Sequence, residues 1–317
     1  VVPRVAGTVD AAGSDVAPDF VGRRVVAMTN FVGYSQYVCV PANLTWPLPE
    51  GVDEVRAAAL PVNYLTAWQM LRVMAPPSAG ETVLIHSAAG GVGQAISARL
   101  VADGFHVTGL DKDAAGLAQV AADLGASFRP LTLDLTDAAA IADAFAEIGG
   151  IDALVNNAGT CLMSDFPDIP AAEFDAQMAI NFSSAFHCCQ QAVKAMQGRT
   201  GVRKIVNISS NGAYNFDVFD PPHYRASKAA MDTLTKDLAR RYASDRIAVN
   251  SIAPAMTQTP LFGVLSQEVL DKAIAAMPHG RAMQPSEIAD WVGFLISPMG
   301  DICSGNVIIL NQGRDVR

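Results

Sequence analysis

The chain has 317 residues, 50% of them hydrophobic and 17% charged, a balance that excludes intrinsic disorder and supplies core material for a large α/β domain. Against 22 Lys and Arg stand 31 Asp and Glu, a net charge of −9, which argues against nucleic acid or an anionic membrane as partner. No apolar run approaches the ~20 residues of a membrane span. The opening residues carry no basic-then-apolar leader, and the five cysteines lack CxxC spacing, so a reduced, cytoplasmic chain without structural zinc is expected.

In chain order, short β-like runs come first, at 5–9, 24–28 and 37–40, separated by Gly13, Pro18, Gly22 and Pro47. Residues 53–75 turn helical in texture, with an apolar face through Ala58, Leu65, Trp68 and Leu71. Pro76, Pro77, Ala79 and Gly80 then read as a linker, so a small β-rich appendage is expected over 1–78 and a second domain over 79–317. From Glu81 the rhythm is strand then helix. Strands are predicted at 82–86, 105–110, 128–133, 152–156, 203–209, 247–252 and 306–310. The amphipathic stretches between them are long enough for right-handed crossovers. This predicts a doubly wound parallel α/β sheet of Rossmann type, with about seven strands.

The apolar strand Thr82-Val83-Leu84-Ile85-His86 runs into Ser87-Ala88-Ala89-Gly90-Gly91-Val92-Gly93 and then a helix. A helix N-terminus offers free N–H groups and a positive dipole end, and glycines let a diphosphate approach them. Asp111 closes the next strand, near the ~20-residue distance expected of a carboxylate that receives the adenosine ribose hydroxyls. A carboxylate there repels a 2′-phosphate, so NAD(H) is expected in preference to NADP(H).

Tyr224-Arg225-Ala226-Ser227-Lys228 opens a helical stretch, and i,i+4 spacing puts Tyr224 and Lys228 on one face. An ammonium beside a phenol lowers a pKa of ~10 toward neutrality, which suits proton exchange with an alcohol oxygen. The strand Ile205-Val206-Asn207-Ile208 ends in Ser209 and Ser210, and Leu154-Val155-Asn156 runs into Asn157, Ala158 and Gly159. Strand carboxyl ends are where parallel sheets place ligands.

In order and spacing, Asn156-Asn157-Ala158-Gly159, Asn181, Ser210 and Tyr224…Lys228 resemble the short-chain dehydrogenase/reductase family, over residues 82 to 317. The resemblance implies that Tyr224 is the general acid/base, that Lys228 lowers its pKa and holds the nicotinamide ribose, that Ser210 orients the carbonyl or alcohol, and that Asn181 supports a water relay to Lys228. By the same likeness the cofactor meets Ser87, Ala89, Gly90, Gly91, Val92 and Gly93, then Asp111, the adenine-contacting pair Asp134 and Leu135, and Asn157, Ala158 and Gly159. Pro254, Thr257 and Thr259 belong to the nicotinamide-side loop. Substrate is expected at Ser210, Tyr224, Cys161 and Asn211. Two departures stand out. Ser87 replaces the family's first turn glycine and Ala255 its loop glycine, each adding a side chain near the cofactor path. The family also implies a homodimer or homotetramer.

Residues 1 to about 95 resemble a different family, the zinc-independent quinone oxidoreductases of the medium-chain dehydrogenases. The motifs are Val5-Ala6-Gly7-Thr8-Val9, Gly33-Tyr34-Ser35-Gln36-Tyr37-Val38, Ala57-Ala58-Ala59-Leu60-Pro61 and Gly80-Glu81-Thr82 onward. The two likenesses overlap at the glycine turn, so the chain looks like a splice, natural or engineered, and a truncated N-terminal appendage is expected.

Weaker signals remain. The five histidines lack ligand spacing, so no metal site is expected, and His223 is a possible site neighbour. Cys188 and Cys189 read as packing residues. Tyr214, Phe216 and Phe219 would line a pocket mouth, and Leu261, Phe262 and Leu265 an apolar loop. The leading reading is an NAD(H)-dependent oxidoreductase that interconverts a secondary alcohol and a ketone. A quinone or enone reductase and a non-catalytic dinucleotide-binding scaffold are the alternatives.

Overall fold

The computed structural model describes residues 4–28, 37–48, 80–215, 220–260, 262 and 267–315. Two compact units divide the chain, Val1–Pro76 and Pro77–Arg317. The helix expected over 53–75, the motifs at 33–36 and 57–61, and Pro76, Pro77 and Ala79 lie outside the described residues.

In the first unit, β1 (Arg4–Thr8), β2 (Arg24–Met28) and β3 (Thr45–Pro47) form an antiparallel sheet in the order β1-β2-β3. Val25, Val26 and Ala27 of β2 and Thr45 of β3 are its buried residues. The strand expected at 37–40 is not one. Both edges of β2 are already taken by β1 and β3, and Pro41 leads directly into the tight turn Ala42–Leu44.

The second unit is a seven-stranded parallel sheet: β4 (Thr82–His86), β5 (His106–Asp111), β6 (Phe128–Thr132), β7 (Ala153–Asn156), β8 (Arg203–Ile208), β9 (Ile247–Pro254) and β10 (Val307–Leu310), in the order β10-β9-β8-β7-β4-β5-β6. Each predicted strand falls within two residues of an observed one. The helices are α1 (Gly91–Ala102), α2 (Ala114–Leu124), α3 (Ala138–Ile148), α4 (Ala171–Met178), α5 (Ser184–Met196), α6 (Pro222–Arg241), α7 (Gln267–Ala275) and α8 (Pro285–Ile296).

Strand alternation splits the core into two layers. Val83, Ile85 and Val107 pack with Ile96 and Leu100 of α1, Leu117 of α2 and Ile288 and Val292 of α8 on one face. Leu84, Leu154, Ile205 and Val249 pack with Ile141 and Phe145 of α3 and Cys188, Cys189 and Met196 of α5 on the other. Both cysteines are therefore core residues. With both faces covered, β8 is buried from end to end, as central parallel strands are. Truncating Leu84 to Ala would cost ~2–5 kcal/mol, the usual range for a buried leucine. Because β4 lies between β5 and β7, the chain reverses direction across the sheet at this point and opens a crevice beyond the ends of β4 and β7.

Candidate active site

β4 delivers the buried His86 and the glycine-rich turn to that crevice. Ser87 adopts the left-handed conformation, φ 58°, a backbone state that glycine takes most easily. Its side chain turns toward Asp111 at the end of β5, Oγ lying 3.4 Å from Oδ2. The Ala89 N–H donates to the same oxygen at 3.2 Å and the Asp113 N–H to Oδ1 at 3.0 Å. The hydroxyl expected to obstruct the cofactor path is thus tied back to Asp111, although Ser87 still lines the cavity. Gly93 is required by close approach: a Cβ there would lie 1.9 Å from the Ser87 carbonyl oxygen. A Cβ on Gly91 would come within 3.1 Å of Pro260 Cδ.

The N-terminus of α1 differs from those of its neighbours. Asp113 caps α2 and Asp137 caps α3 with side-chain bonds, whereas α1 starts from Gly90 without one. Uncapped N–H groups, glycines that keep side chains away and a carboxylate fixed at the end of β5 suit a dinucleotide.

The end of β7 completes this wall. Asn157 Nδ2 donates to the Ser87 carbonyl at 3.2 Å, and the Ala158 N–H donates to His86 Nδ1 at 3.0 Å. Asn156 points into the core, where Nδ2 donates to Asn207 Oδ1 at 2.8 Å. Gly159 faces the catalytic side: a Cβ there would lie 3.3 Å from Lys228 Nζ and 3.4 Å from Asn181 Oδ1. Asn181 sits in a π-helical turn, Ala179–Ser183, between α4 and α5, a feature often found at functional sites. Its Oδ1 accepts from the Thr160 N–H at 2.8 Å, and its Nδ2 donates to the Thr160 carbonyl at 2.9 Å and to Ser227 Oγ at 3.1 Å. Ser227 in turn donates to the Tyr224 carbonyl at 2.6 Å. Asn181 therefore clamps the segment after β7 to the start of α6.

Tyr224, Ser210 and Lys228 meet at the centre. The Ser210 side chain is hydrogen-bonded to Tyr224 and its Oγ also accepts from the Gly212 N–H at 3.0 Å. Lys228 is buried and donates to the Ile208 carbonyl at 2.8 Å. Burial pushes its pKa down to about 8, with Asp232 opposing. The expectation that Lys228 favours a Tyr224 phenolate is not met. Burial first, and then the Asp220 carboxylate, push the phenol above its ordinary value, while the Ser210 bond pulls it down. Tyr224 is partly exposed and lines the cavity, and solvent there tempers the rise without reversing its sign.

These groups line one cavity of about 400 Å³. Its lining includes Gly90, Gly91 and Val92 from the glycine turn, Ser210, Tyr224 and Lys228, Pro254, Thr257 and Thr259, and Asn157, Gly159, Cys161 and Asn211. Ala255 lines it as well. Burial, then Asp220, pushes the Cys161 thiol up to about 12, so it is an uncharged wall. Ala89, Gly93, Asp111, Ala158 and Asn181 stand behind this lining as supports. The structure does not bring Asp134 and Leu135 to the cavity. Asp134 Oδ1 is taken by Thr136, through its N–H at 2.9 Å and its Oγ1 at 2.8 Å, and Leu135 is in the core. His223 is buried 3.3 Å from Glu173 of α4, a packing position outside the lining. Phe262 is a lining residue, whereas Phe216, Phe219, Leu261 and Leu265 lie outside the described residues.

Asp220, Asp232, Met163 and Arg314 were not foreseen. Asp220 and Asp232 continue the spacing of Tyr224 and Lys228, since residues 220, 224, 228 and 232 recur every fourth position. That periodicity was the available signal.

Comparison with known proteins agrees with this geometry. A family model described as enoyl-(acyl carrier protein) reductase matches residues 87–315. The short-chain dehydrogenase/reductase eriH of Hericium erinaceus is 34% identical over 251 residues, covering 75% of this chain and 98% of that protein. The 3-oxoacyl-(acyl-carrier-protein) reductase FabG of Aquifex aeolicus is 31% identical over 74% of this chain and 97% of its own. Among solved structures, a short-chain dehydrogenase/reductase of Brucella melitensis described as glucose/ribitol dehydrogenase superposes with TM-score 0.70 at 30% identity, over 75% of this chain and 97% of that one. A 3-ketoacyl-(acyl-carrier-protein) reductase from the same organism, complexed with NADH, gives TM-score 0.70 at 26% identity over 75% and 99%. The medium-chain likeness of residues 1 to about 95 finds no support in these matches.

Proposed function

We propose, from the premise that this chain belongs to the short-chain dehydrogenase/reductase family, that it interconverts a ketone and a secondary alcohol with NAD(H) in preference to NADP(H). One observation carries the reading: Ser210, Tyr224 and Lys228 share a cavity with the glycine turn at the carboxyl ends of the parallel strands.

A bound nicotinamide dinucleotide would supply the hydride and keep that chemistry its own. Gly91, Val92 and Gly93 at the start of α1 would hold its diphosphate, Asp111 its adenosine ribose, and Asn157, Lys228 and the 254–259 loop its nicotinamide half. Asp111 supports NAD(H) because its carboxylate is pinned at the end of β5 by Ala89 and Asp113, where a 2′-phosphate would meet like charge.

Ser210 would orient the substrate oxygen by a hydrogen bond. Tyr224, held as a neutral phenol by burial and Asp220, is suited to give its proton to a carbonyl oxygen as charge develops there. A phenol in that state serves the reduction direction as proton donor, and oxidation would need its ionised form. Asn181 positions rather than reacts, because it fixes Thr160 and Ser227 beside Lys228.

The test follows loss of reduced-nicotinamide absorbance with a panel of cyclic and aliphatic ketones. Turnover with NADH, absent in Tyr224→Phe, supports the proposal. Tight binding without turnover on any ketone favours the scaffold reading, and reduction of enones in preference to ketones favours a quinone or enone reductase.

Three further readings belong to the same proposal. Exposed Phe174 and Phe186 on α4 and α5 support a homodimer or homotetramer, which sedimentation would show. Residues 1 to about 95 are read as a quinone-oxidoreductase-like remnant on the motifs given above. A cytoplasmic setting is proposed from the unpaired cysteines, all five of which are free; among the described residues no helix is long and apolar enough to cross a membrane.

A further inference from the structure

An ammonium buried as deeply as Lys228 is costly unless an opposite charge accompanies it. Its hydrogen bond to the Ile208 carbonyl supplies a dipole and no charge. Two groups bear on Lys228, Asp232 on α6 and Cys161 after β7, and Lys228 bears in turn on His86 at the end of β4; Asp220 bears on Tyr224 and Cys161 instead. His86 is neutral, pushed down to about 3 by burial and by Lys228. The Cys161 thiol and the Tyr224 phenol are neutral because both are pushed upward. That leaves Asp232, one helical turn beyond Lys228 and 3% exposed.

Asp232 is built into a socket. Ser251 of β9 donates to its Oδ1 at 2.7 Å. Burial raises its carboxyl above the usual carboxylate range, and Ser251, then the hydroxyls of Tyr214 and Ser209 from the segment that carries Ser210, oppose that rise by favouring the charged form. Ser209 Oγ also lies 3.3 Å from the Lys228 carbonyl, with one hydrogen to share between the two acceptors. One carboxylate thus joins α6, β9 and the Ser210 segment.

We propose that Asp232 is a positioning residue of this site, the buried counter-charge that holds Lys228 as an ammonium and docks the Ser210 segment against α6. It deepens the oxidoreductase reading, on which the role of Lys228 rests. Asp232 touches neither cavity nor substrate, and it acts through Lys228 and Ser209.

The experiment is a pH titration of the full chain labelled with ¹³C at lysine Cε, the Lys228 signal being assigned with Lys228→Arg. The wild-type midpoint is expected at about 8. Asp232→Asn keeps the size and an acceptor for Ser251 but loses the charge, and should lower that midpoint by about one pH unit. Thr235→Ala removes a neighbouring buried hydroxyl of α6 that binds Asn207 and should leave it unmoved, which separates charge from packing. A second measurement needs no variant: the Asp232 carboxyl carbon of the wild-type chain should titrate below neutral pH. An unmoved Lys228 midpoint in Asp232→Asn, or an Asp232 that stays protonated at neutral pH, overturns the proposal. Neither readout requires turnover, so it can fail while ketone reduction by the wild type stands, and the reverse.

Discussion

The Ala158 N–H donates to Nδ1 of His86 across 3.0 Å, tying the end of β7 to the end of β4 where the sheet reverses its order. The bond requires an unprotonated Nδ1. Burial, with Lys228 adding to it, takes the imidazole from 6.5 to about 3. Below 6.5 the unfolded chain therefore binds a proton that the folded chain refuses. Stability is unaffected above that window and falls as pH drops from 6.5 toward 3, by about 5 kcal/mol at most. His86→Asn keeps an acceptor and removes the titration. Urea unfolding against pH should show a shallower acid slope in the variant, and equal slopes would mean that His86 is not held neutral.

Tyr224→Phe deletes the proton donor while leaving the ring in place. Carbonyl reduction should fall by ~10²–10⁴-fold in kcat, the usual contribution of general acid catalysis, with NADH affinity retained. A variant that loses affinity and rate together would point to a binding role for the phenol instead.

Asp220 raises the Tyr224 phenol and the Cys161 thiol. Removing its charge in Asp220→Asn should let Tyr224 ionise at lower pH. The acidic limb of alcohol oxidation would then move to lower pH, and reduction would decline earlier as pH rises. The pH profile of kcat/KM in both directions checks this, and a displacement of the limbs to higher pH contradicts it.

Gly93→Ala places a methyl where the Ser87 carbonyl already stands, 1.9 Å away. Because the obstacle is backbone, the turn itself must move. We expect a loss of ~1–3 kcal/mol, as for overpacked sites, and NADH binding at least tenfold weaker. Denaturant titration and fluorescence titration report the two effects separately.

Much of the second unit was legible because its physics is local. Strands such as β4 and β7, buried between neighbours, carry the apolar runs Val83-Leu84-Ile85 and Ala153-Leu154-Val155, and the glycine turn and the Tyr224–Lys228 spacing are short-range patterns. What escaped depends on tertiary neighbours. The phenol of Tyr224 rises because Asp220 and burial act on it, while the Lys228 ammonium is turned to a carbonyl at the end of β8. Asp134 is consumed by its own turn through Thr136. The residues at 37–40 alternate like a strand, yet Pro41 leads straight into the tight turn Ala42–Leu44 and they form none. Ser87 reads as an obstacle until its hydroxyl is seen facing Asp111.

The most direct measurement is reduced-nicotinamide oxidation by the purified chain on a ketone panel, run with NADH and NADPH, alongside Tyr224→Phe. The account predicts turnover that prefers NADH and disappears in the variant while binding persists. Saturable binding of neither cofactor, or ketone reduction that survives Tyr224→Phe, would contradict it.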